Sequence, residues 1–425
     1  MLIKIQEDKM AEMVIGSSVR EAGADPIFKV AGAAAERTKE LGRDAVINST
    51  IGAFMSDEGK LVAFKTVYRV LRSLPDTEFA GYAKIAGLPE YLEAVQKACF
   101  KDFRPEGFIE AIATPGGTGA IRHTICNYSE IGDSILVPDW YWAPYKTIAN
   151  ENRRELLEFS LFDQNGHFNL ESYKEAFLAL IKKQKRVVSI MNTPAHNPTG
   201  YSVTMDEWRA LKDFYTETAE ANPDCKLIIL VDIAYIDFAG TMERNARAFM
   251  PMLANMPENV LPLYAYSASK SYTMYGLRNG ALICVAPTKA IADEFKTTCT
   301  FSNRGTWSNG TRCAQKTVAE IFSDDLILND VITEQEFFRA ILQRRAEAFI
   351  EESEKIGLKL CTYGDGFFIS IPCEDAAKVS DYLMEKNLFI VALKKGLRFA
   401  PCAVSEEKCR KAPKMIKEAM SFILK

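Results

Sequence analysis

Two periods of apolar residues alternate along this chain. Short runs of strand length recur at Ser134–Val137, Arg186–Met191, Lys226–Asp232, Leu261–Tyr266 and Gly280–Val285. Helical spacing fills the gaps between them. Pro89 opens an apolar-periodic segment to Phe100, with proline at the first turn, where its missing N–H costs least. Thr204 and Glu207 form a capping box that starts a helix running to about Asn222-Pro223. Thr114-Pro115-Gly116-Gly117-Thr118-Gly119-Ala120-Ile121-Arg122 reads as a glycine-rich turn opening another helix. Strands separated by helices predict a mostly parallel sheet covered on both faces.

The last hundred residues have a different rhythm. Thr333-Glu334-Gln335-Glu336 reads as a second capping box, heading a helix that carries Phe338, Leu342, Phe349 and Ile350 and stops at Gly357. Phe367–Ile371 and Leu388–Leu393 read as two strands flanking a helix. This predicts a smaller α/β unit. The expected division is a cofactor-binding unit at 56–325, a small unit at 326–425, and an N-terminal segment, 1–55, that packs with the small one.

Composition narrows the possible functions. A length of 425 residues suits two or three domains at roughly 100–200 residues each. The 52 Lys and Arg against 56 Asp and Glu leave a net charge of −4, which offers nothing to a polyanion such as nucleic acid. Ten scattered cysteines without a C-x-x-C pair, three histidines and no H-E-x-x-H argue against a zinc site and for a reducing compartment. The opening MLIKIQEDKMAEM lacks the apolar stretch of a signal peptide, and no run approaches a membrane span. The expectation is a cytoplasmic protein with no membrane partner.

Ligands of open α/β sheets bind beyond the carboxyl ends of the strands. Polar residues gather there in this sequence. Asp232 closes an apolar strand and is followed by Tyr235; Ser267 and Lys270 come after the next; Asn197-Pro198-Thr199-Gly200 comes after Arg186–Met191. A lysine among small residues, partly desolvated, has a lowered pKa and a nucleophilic amine suited to a Schiff base; a solvated loop also carries lysines. Arg278 lies eight residues on, and two cations with two hydroxyls suit a phosphate near an aldehyde. The glycine-rich helix start is a natural anion site, although many such turns only turn the chain. A buried Asp232 needs a cationic partner, such as a protonated pyridine nitrogen, or it merely caps the next helix. Trp140 stands just past a strand end, where an indole can stack on a flat ring or simply pack, as can Tyr141 and Trp142. There is neither a G-x-G-x-x-G nor a G-x-x-x-x-G-K-[ST] motif to support dinucleotide binding or a P-loop.

Together these residues resemble the class I aminotransferases of pyridoxal-phosphate fold type I, most closely the aspartate aminotransferases. The resemblance runs from about Asn48 to Pro401 and rests on S-A-S-K-x-x-x-x-x-G-x-R, H-N-P-T-G, D-x-x-Y, T-P-G-G-T-G-A-I-R and G-x-P-E, in family order. It implies a large domain with a mostly parallel, seven-stranded sheet and a smaller α/β domain. It also implies pyridoxal 5'-phosphate as cofactor, amino acid and 2-oxo acid substrates, and a homodimer with shared active sites. By that resemblance Lys270 is the Schiff-base lysine, and Asp232 pairs with the pyridinium nitrogen. Tyr235 and Asn197 bond the ring oxygen, while Trp140, or Trp142 two residues on, stacks on the ring. Gly116, Gly117, Thr118, Ser267 and Arg278 cradle the phosphate, with Tyr82 reaching in from the partner subunit.

The same resemblance has Arg398 grip the substrate α-carboxylate, with Gly52, Trp140 and Asn197 lining the same place. Arg304, in Arg304-Gly305-Thr306-Trp307-Ser308-Asn309, comes from the neighbouring subunit to bind a distal carboxylate. That favours a ping-pong exchange between aspartate and 2-oxoglutarate. An aromatic amino acid aminotransferase, or a lyase or decarboxylase on the same scaffold, are the alternatives. Three departures from the family pattern stand out. The Pro138–Pro144 stretch is about two residues longer than the aspartate-enzyme pattern, Asn192-Thr193-Pro194-Ala195 lacks a histidine some relatives carry, and Lys394-Lys395-Gly396 is unusually basic.

Overall fold

The computed structural model describes residues 13–15, 18–19, 26–240 and 245–424; residues 1–12 of the opening stretch fall outside them. Eleven strands build two sheets among the described residues. In chain order they are β1 (Ile47–Ser49), β2 (Phe108–Pro115), β3 (Ser134–Pro138), β4 (Glu155–Phe159), β5 (Arg186–Asn192) and β6 (Lys226–Asp232). Next come β7 (Val260–Ser267), β8 (Asn279–Ala286), β9 (Ile369–Pro372), β10 (Leu388–Leu393) and β11 (Gly396–Phe399). The large sheet has the order β2-β8-β7-β6-β5-β3-β4. Only β8 runs against the others in it. The mostly parallel, seven-stranded sheet expected from the sequence is therefore present.

Strands β5 to β8 carry almost uninterrupted apolar side chains because both faces of the sheet are buried. One face packs on the helices Gly116–Tyr128 and Lys289–Thr306 through Ile121, Ile125, Phe295 and Cys299. The other packs on Tyr173, Phe177, Trp208 and Phe214, from the helices Leu170–Lys183 and Met205–Ala221. The Thr204/Glu207 capping box stands where the sequence places it. Strands β2, β4 and β11 escape the sequence pattern: β2 is alanine-rich, β4 carries two glutamates on an edge, and β11 is four residues long with a glycine and an arginine.

The second sheet has the order β1-β10-β11-β9. Its β1 comes from the N-terminal region and pairs in parallel with β10. The helix Asp325–Lys355 runs between the two sheet systems, and its start corrects the sequence reading. Asp324, not Thr333, caps it, accepting from the N–H groups of Leu326 and Ile327. Thr333 and Glu334 lie two turns inside. Glu334 instead accepts from the backbone N–H groups of Lys65 and Thr66, so it caps the neighbouring helix Lys65–Ser73. A capping box is a local signal, and here the glutamate serves an N-terminus remote in sequence.

One further contact joins the two sheets, and a buried ion pair lies within the large one's surroundings. The β10–β11 turn reaches the strand ends of the large sheet, where Lys394 pairs with Glu158 at 2.8 Å and Lys395 with Asp139. Deeper, Asp237 meets Arg247 at 2.6 Å, and both side chains are almost fully buried. Arg247 also donates to the carbonyls of Cys99 and Ala98, at the end of the helix Pro89–Phe100. Ser271 bonds the Asp237 carboxylate, which ties the stretch after β7 to this ion pair.

Burial alone pushes the Asp237 carboxyl up, but Arg247, Lys101 and the hydrogen bonds outweigh it and hold it well below the usual range. A carboxyl depressed on folding stabilises the native state above its unfolded pKa, near 4, and that contribution is lost as pH falls toward the folded value. Asp237→Asn leaves Arg247 buried without its counter-charge and should cost about 3–5 kcal/mol. Thermal unfolding from pH 3 to 7 checks both points. The variant should unfold at lower temperature at neutral pH and lose less stability than wild type on acidification; parallel pH profiles would contradict the assignment.

Candidate active site

The registers of the large sheet bring the carboxyl ends of three parallel strands level. Asn192 of β5 sits opposite Asp232 of β6, and Asp232 sits opposite Ala265, two residues before Ser267 ends β7. A cavity opens there, and its walls include Gly117, Thr118, Trp142, Asn192, Asn197, Asp232, Tyr235, Ser267, Lys270 and Arg278. Nine of these ten stand out in the sequence, Trp142 among them as the alternative ring-stacking residue; Asn192 is notable there only for not being a histidine.

Asp232 lies at the floor and is 4% exposed. One carboxylate oxygen accepts from the Tyr145 hydroxyl at 2.5 Å and the other from the Ala234 N–H at 3.2 Å. Burial raises its pKa above the ordinary carboxylate value, against the lowering by Tyr145, Ala234 and Lys270. The Asn192 amide donates to the Asp232 carbonyl and accepts from the Asn197 N–H, which stitches the ends of β5 and β6 together.

Lys270 stands on the one-turn helix Ala268–Ser271 directly after β7. Desolvation lowers its pKa to about 8, against the pull of Asp232. Its amine lies 5.3 Å from the centre of the Tyr235 ring. The Tyr235 hydroxyl accepts from the Asn197 amide at 3.3 Å, and Asn197 accepts from Arg398 at 3.4 Å. Arg398, on β11, is buried, donates to the Thr50 carbonyl at 2.8 Å and stacks 4.3 Å from the centre of the Phe368 ring. The small sheet thus brings a guanidinium against Asn197, which lines the large sheet's cavity.

The opposite end of the cavity is an anion cradle. The helix Gly116–Tyr128 starts there with free N–H groups beside Thr118, Ser267 and Arg278. Gly116 has a φ of +67°, and a Cβ on it would meet the Arg278 guanidinium at 2.5 Å. Gly280 lets β8 pass the same turn, since a Cβ there would meet the Gly116 backbone at 2.6 Å. Arg278 itself adopts a left-handed conformation, with Nη1 donating to the Tyr275 carbonyl and Ser269 hydroxyl.

Four residues named from the sequence lie away from the cavity. Trp140 is in the main hydrophobic core at 5% exposure, and Trp142 lines the cavity instead. Asp139 is pinned to β4 by its N–H to Phe159 and its carboxylate to Leu161, which sends Trp140 inward. Gly52 lies against the Phe368 ring, where a Cβ would come within 2.9 Å. Tyr82 is 87% exposed, and Arg304 is exposed with its guanidinium on the Ser308 hydroxyl at 2.6 Å. Sequence reasoning misses Tyr145, whose place three residues after Trp142 reads as a packing position on the helix Pro144–Glu151.

The donor set suits pyridoxal phosphate. A desolvated amine, a buried carboxylate without a paired cation other than that amine, and a glycine cradle with an arginine match an aldehyde, a ring nitrogen and a phosphate respectively. Trp142 offers an indole face beside them. Among the described residues no histidine lines the cavity: His123 is bonded to Asn303, and His196 is bonded to Thr199 with burial lowering its pKa to about 3. Asp232, Tyr235 and Lys270 are the titratable side chains that line the cavity beside Arg278.

Comparison with known proteins agrees. The family model for aminotransferase class I and II matches residues 45–416. An aspartate aminotransferase of Salmonella typhi is 26% identical over 80% of this chain and 83% of its own. An aromatic-amino-acid aminotransferase of Paracoccus denitrificans is 25% identical over 73% of this chain and 76% of its own. Among solved structures, an aminotransferase from Anaerococcus prevotii is 36% identical, with a TM-score of 0.93, over 98% of this chain and 100% of that one. The chain belongs to the class I and II aminotransferases, a family of pyridoxal-phosphate-dependent transaminases.

Proposed function

We propose that this aminotransferase moves an amino group from aspartate, or a similar dicarboxylic amino acid, to 2-oxoglutarate by a ping-pong cycle in a cytoplasmic homodimer. The carrying observation is the placement of Arg304 and Tyr82. Both are exposed and absent from their own chain's cavity, yet they belong to one face. Asn309 of the Arg304 segment donates to the Ala83 carbonyl at 2.7 Å, and Arg312 donates to the Tyr82 carbonyl at 3.2 Å. Arg312 also grips Glu78 through two bonds. Phe79 and Phe301 expose their rings near these residues in sequence, at 50% and 83%. Exposed aromatic residues around a fixed arginine suit a surface that a second copy covers. Across such an interface Arg304 reaches the partner's cavity and supplies a cation for a side-chain carboxylate.

Pyridoxal phosphate supplies an aldehyde that takes up amines and a ring that draws electrons from a neighbouring carbon. Lys270 would hold the aldehyde, and its amine is the group placed to take a proton from the substrate Cα. Asp232 would keep a proton on the ring nitrogen. Asn197 and Tyr235 would hold the ring oxygen, with Trp142 beside the ring. Gly117, Thr118, Ser267 and Arg278 would hold the phosphate. Arg398 clamps the α-carboxylate, which orients the Cα–H bond for Lys270. Residues 56–325 are read as the cofactor-binding unit and 326–425 as the unit that brings Arg398, with 1–55 joined to the latter through β1.

Three outcomes are expected. Lys270→Ala should lose the visible absorbance band of the loaded enzyme and about 10⁴-fold or more of its transamination rate; a variant that kept both would remove Lys270 from the chemistry. An amine attacks an aldehyde only when neutral, so cofactor capture by the emptied chain should accelerate as pH rises through about 8 and level off above it. Stopped-flow absorbance from pH 6 to 10 measures this, and a rate that is flat across that range would contradict it. Arg304→Ala should cost about a hundredfold in kcat/KM for aspartate and leave phenylalanine nearly unchanged. Equal rates for aspartate in variant and wild type would point to an aromatic donor instead.

A further inference from the structure

Tyr145 touches the floor of the cavity, and the sequence does not single it out. It lies in the helix Pro144–Glu151, is fully buried, and its hydroxyl meets the Asp232 carboxylate at 2.5 Å. Its ring stands edge-on to Trp142, with 5.6 Å between centres and an interplanar angle of 87°. One side chain therefore touches both the carboxylate and the aromatic wall. Among the described residues no other side chain donates a hydrogen bond to Asp232; the remaining donor is the Ala234 N–H.

The chemistry of that donor matters. A phenol toward a carboxylate can only donate, and burial next to Asp232 raises the Tyr145 pKa far above its ordinary value, so the proton stays on tyrosine. A neutral donor stabilises the anion without cancelling its charge. The carboxylate then keeps a full negative charge and free lone pairs on the cavity side. A cation in the same place would neutralise that charge, and an apolar side chain would leave burial to favour the protonated acid. The titratable groups facing Asp232 are Tyr145 from the helix after β3, Lys270 from the turn after β7 and Tyr235 from the turn after β6. Lys270 is committed to the amine chemistry, so its charge is not a constant support. Tyr145 is.

We infer that Tyr145 is a positioning residue that keeps Asp232 ionised and fixed in one orientation, and so sets the protonation of whatever ring nitrogen the cavity holds. The inference rests on the cofactor reading above for its consequence, but its first link belongs to the protein alone. The test starts there. Carbon-13 NMR of the full chain, cofactor removed and aspartate carboxyls labelled, tracks the Asp232 titration, with Asp232→Asn identifying the signal. In Tyr145→Phe the Asp232 midpoint should rise by about one to two pH units, the equivalent of a ten- to hundredfold change in acidity. Difluorotyrosine at position 145 keeps the fold and makes the phenol a stronger donor, so it should move the midpoint down. An unmoved midpoint in both would overturn the inference whether or not the cofactor reading holds.

In the loaded enzyme, nitrogen-15 NMR of labelled pyridoxal phosphate should show the ring nitrogen of Tyr145→Phe losing its proton at lower pH than in wild type. The kinetic counterpart is a fall in kcat of about tenfold or more with KM for the amino donor little changed. A purely packing role would instead lower thermal stability and leave both titrations in place. A wild-type chain that binds no pyridoxal phosphate would refute the cofactor reading and leave the Asp232 result to stand or fall by itself.

Discussion

A carboxylate buried at the end of a parallel strand organises this molecule. Asp232 has left water at the floor of a cavity, where burial opposes its charge, and it is supported by a tyrosine hydroxyl, a backbone N–H and a nearby amine. Every other feature of the site is placed relative to it. The sheet register brings Asn192 alongside, β7 presents Ser267 and then Lys270, and the glycine turn after β2 closes the far end. A sheet whose parallel strands end together converts residues far apart in sequence into one wall. The buried Asp237–Arg247 pair, with Ser271 attached, holds the lysine turn in position from behind.

Much of this is legible in the sequence because the signals are local. Lys226–Asp232 and Leu388–Leu393 are legible to the residue, since unbroken apolar runs bounded by polar residues leave little choice. The polar residues of the site stand out because they sit just beyond the carboxyl ends of apolar strands, where open α/β sheets bind ligands. Features decided by contacts distant in sequence are not legible. Glu334 looks like half of a capping box, yet it caps a helix more than 260 residues away in the chain. Trp140 and Trp142 carry the same chemistry, and only the anchoring of Asp139 to β4 decides which faces the cavity. Tyr145 reads as a core aromatic until the structure shows where its hydroxyl ends.

The small sheet adds reach to this floor. Arg398 arrives on a short strand, is oriented by Asn197 and the Thr50 carbonyl, and spreads over Phe368. The basic turn that departs from the family pattern is occupied as well, since Lys394 and Lys395 clasp Glu158 and Asp139 beside the stretch that carries Trp142. Relatives named for aspartate and for aromatic amino acids match at nearly equal identity, so similarity does not choose between substrates. On the proposed reading the choice rests on the exposed surface that bears Arg304 and Tyr82.

Subunit hybrids test that account most directly. Lys270→Ala lacks the amine, and Arg304→Ala lacks the cation offered to the partner. Each homodimer should be nearly inactive toward aspartate. If the two residues serve different chains of one site, random reassortment makes half the dimers hybrid, each with one intact site, and restores about a quarter of wild-type activity. No recovery on mixing, with hybrid dimers demonstrated by native mass spectrometry, would contradict a shared site and the dicarboxylate reading built on it.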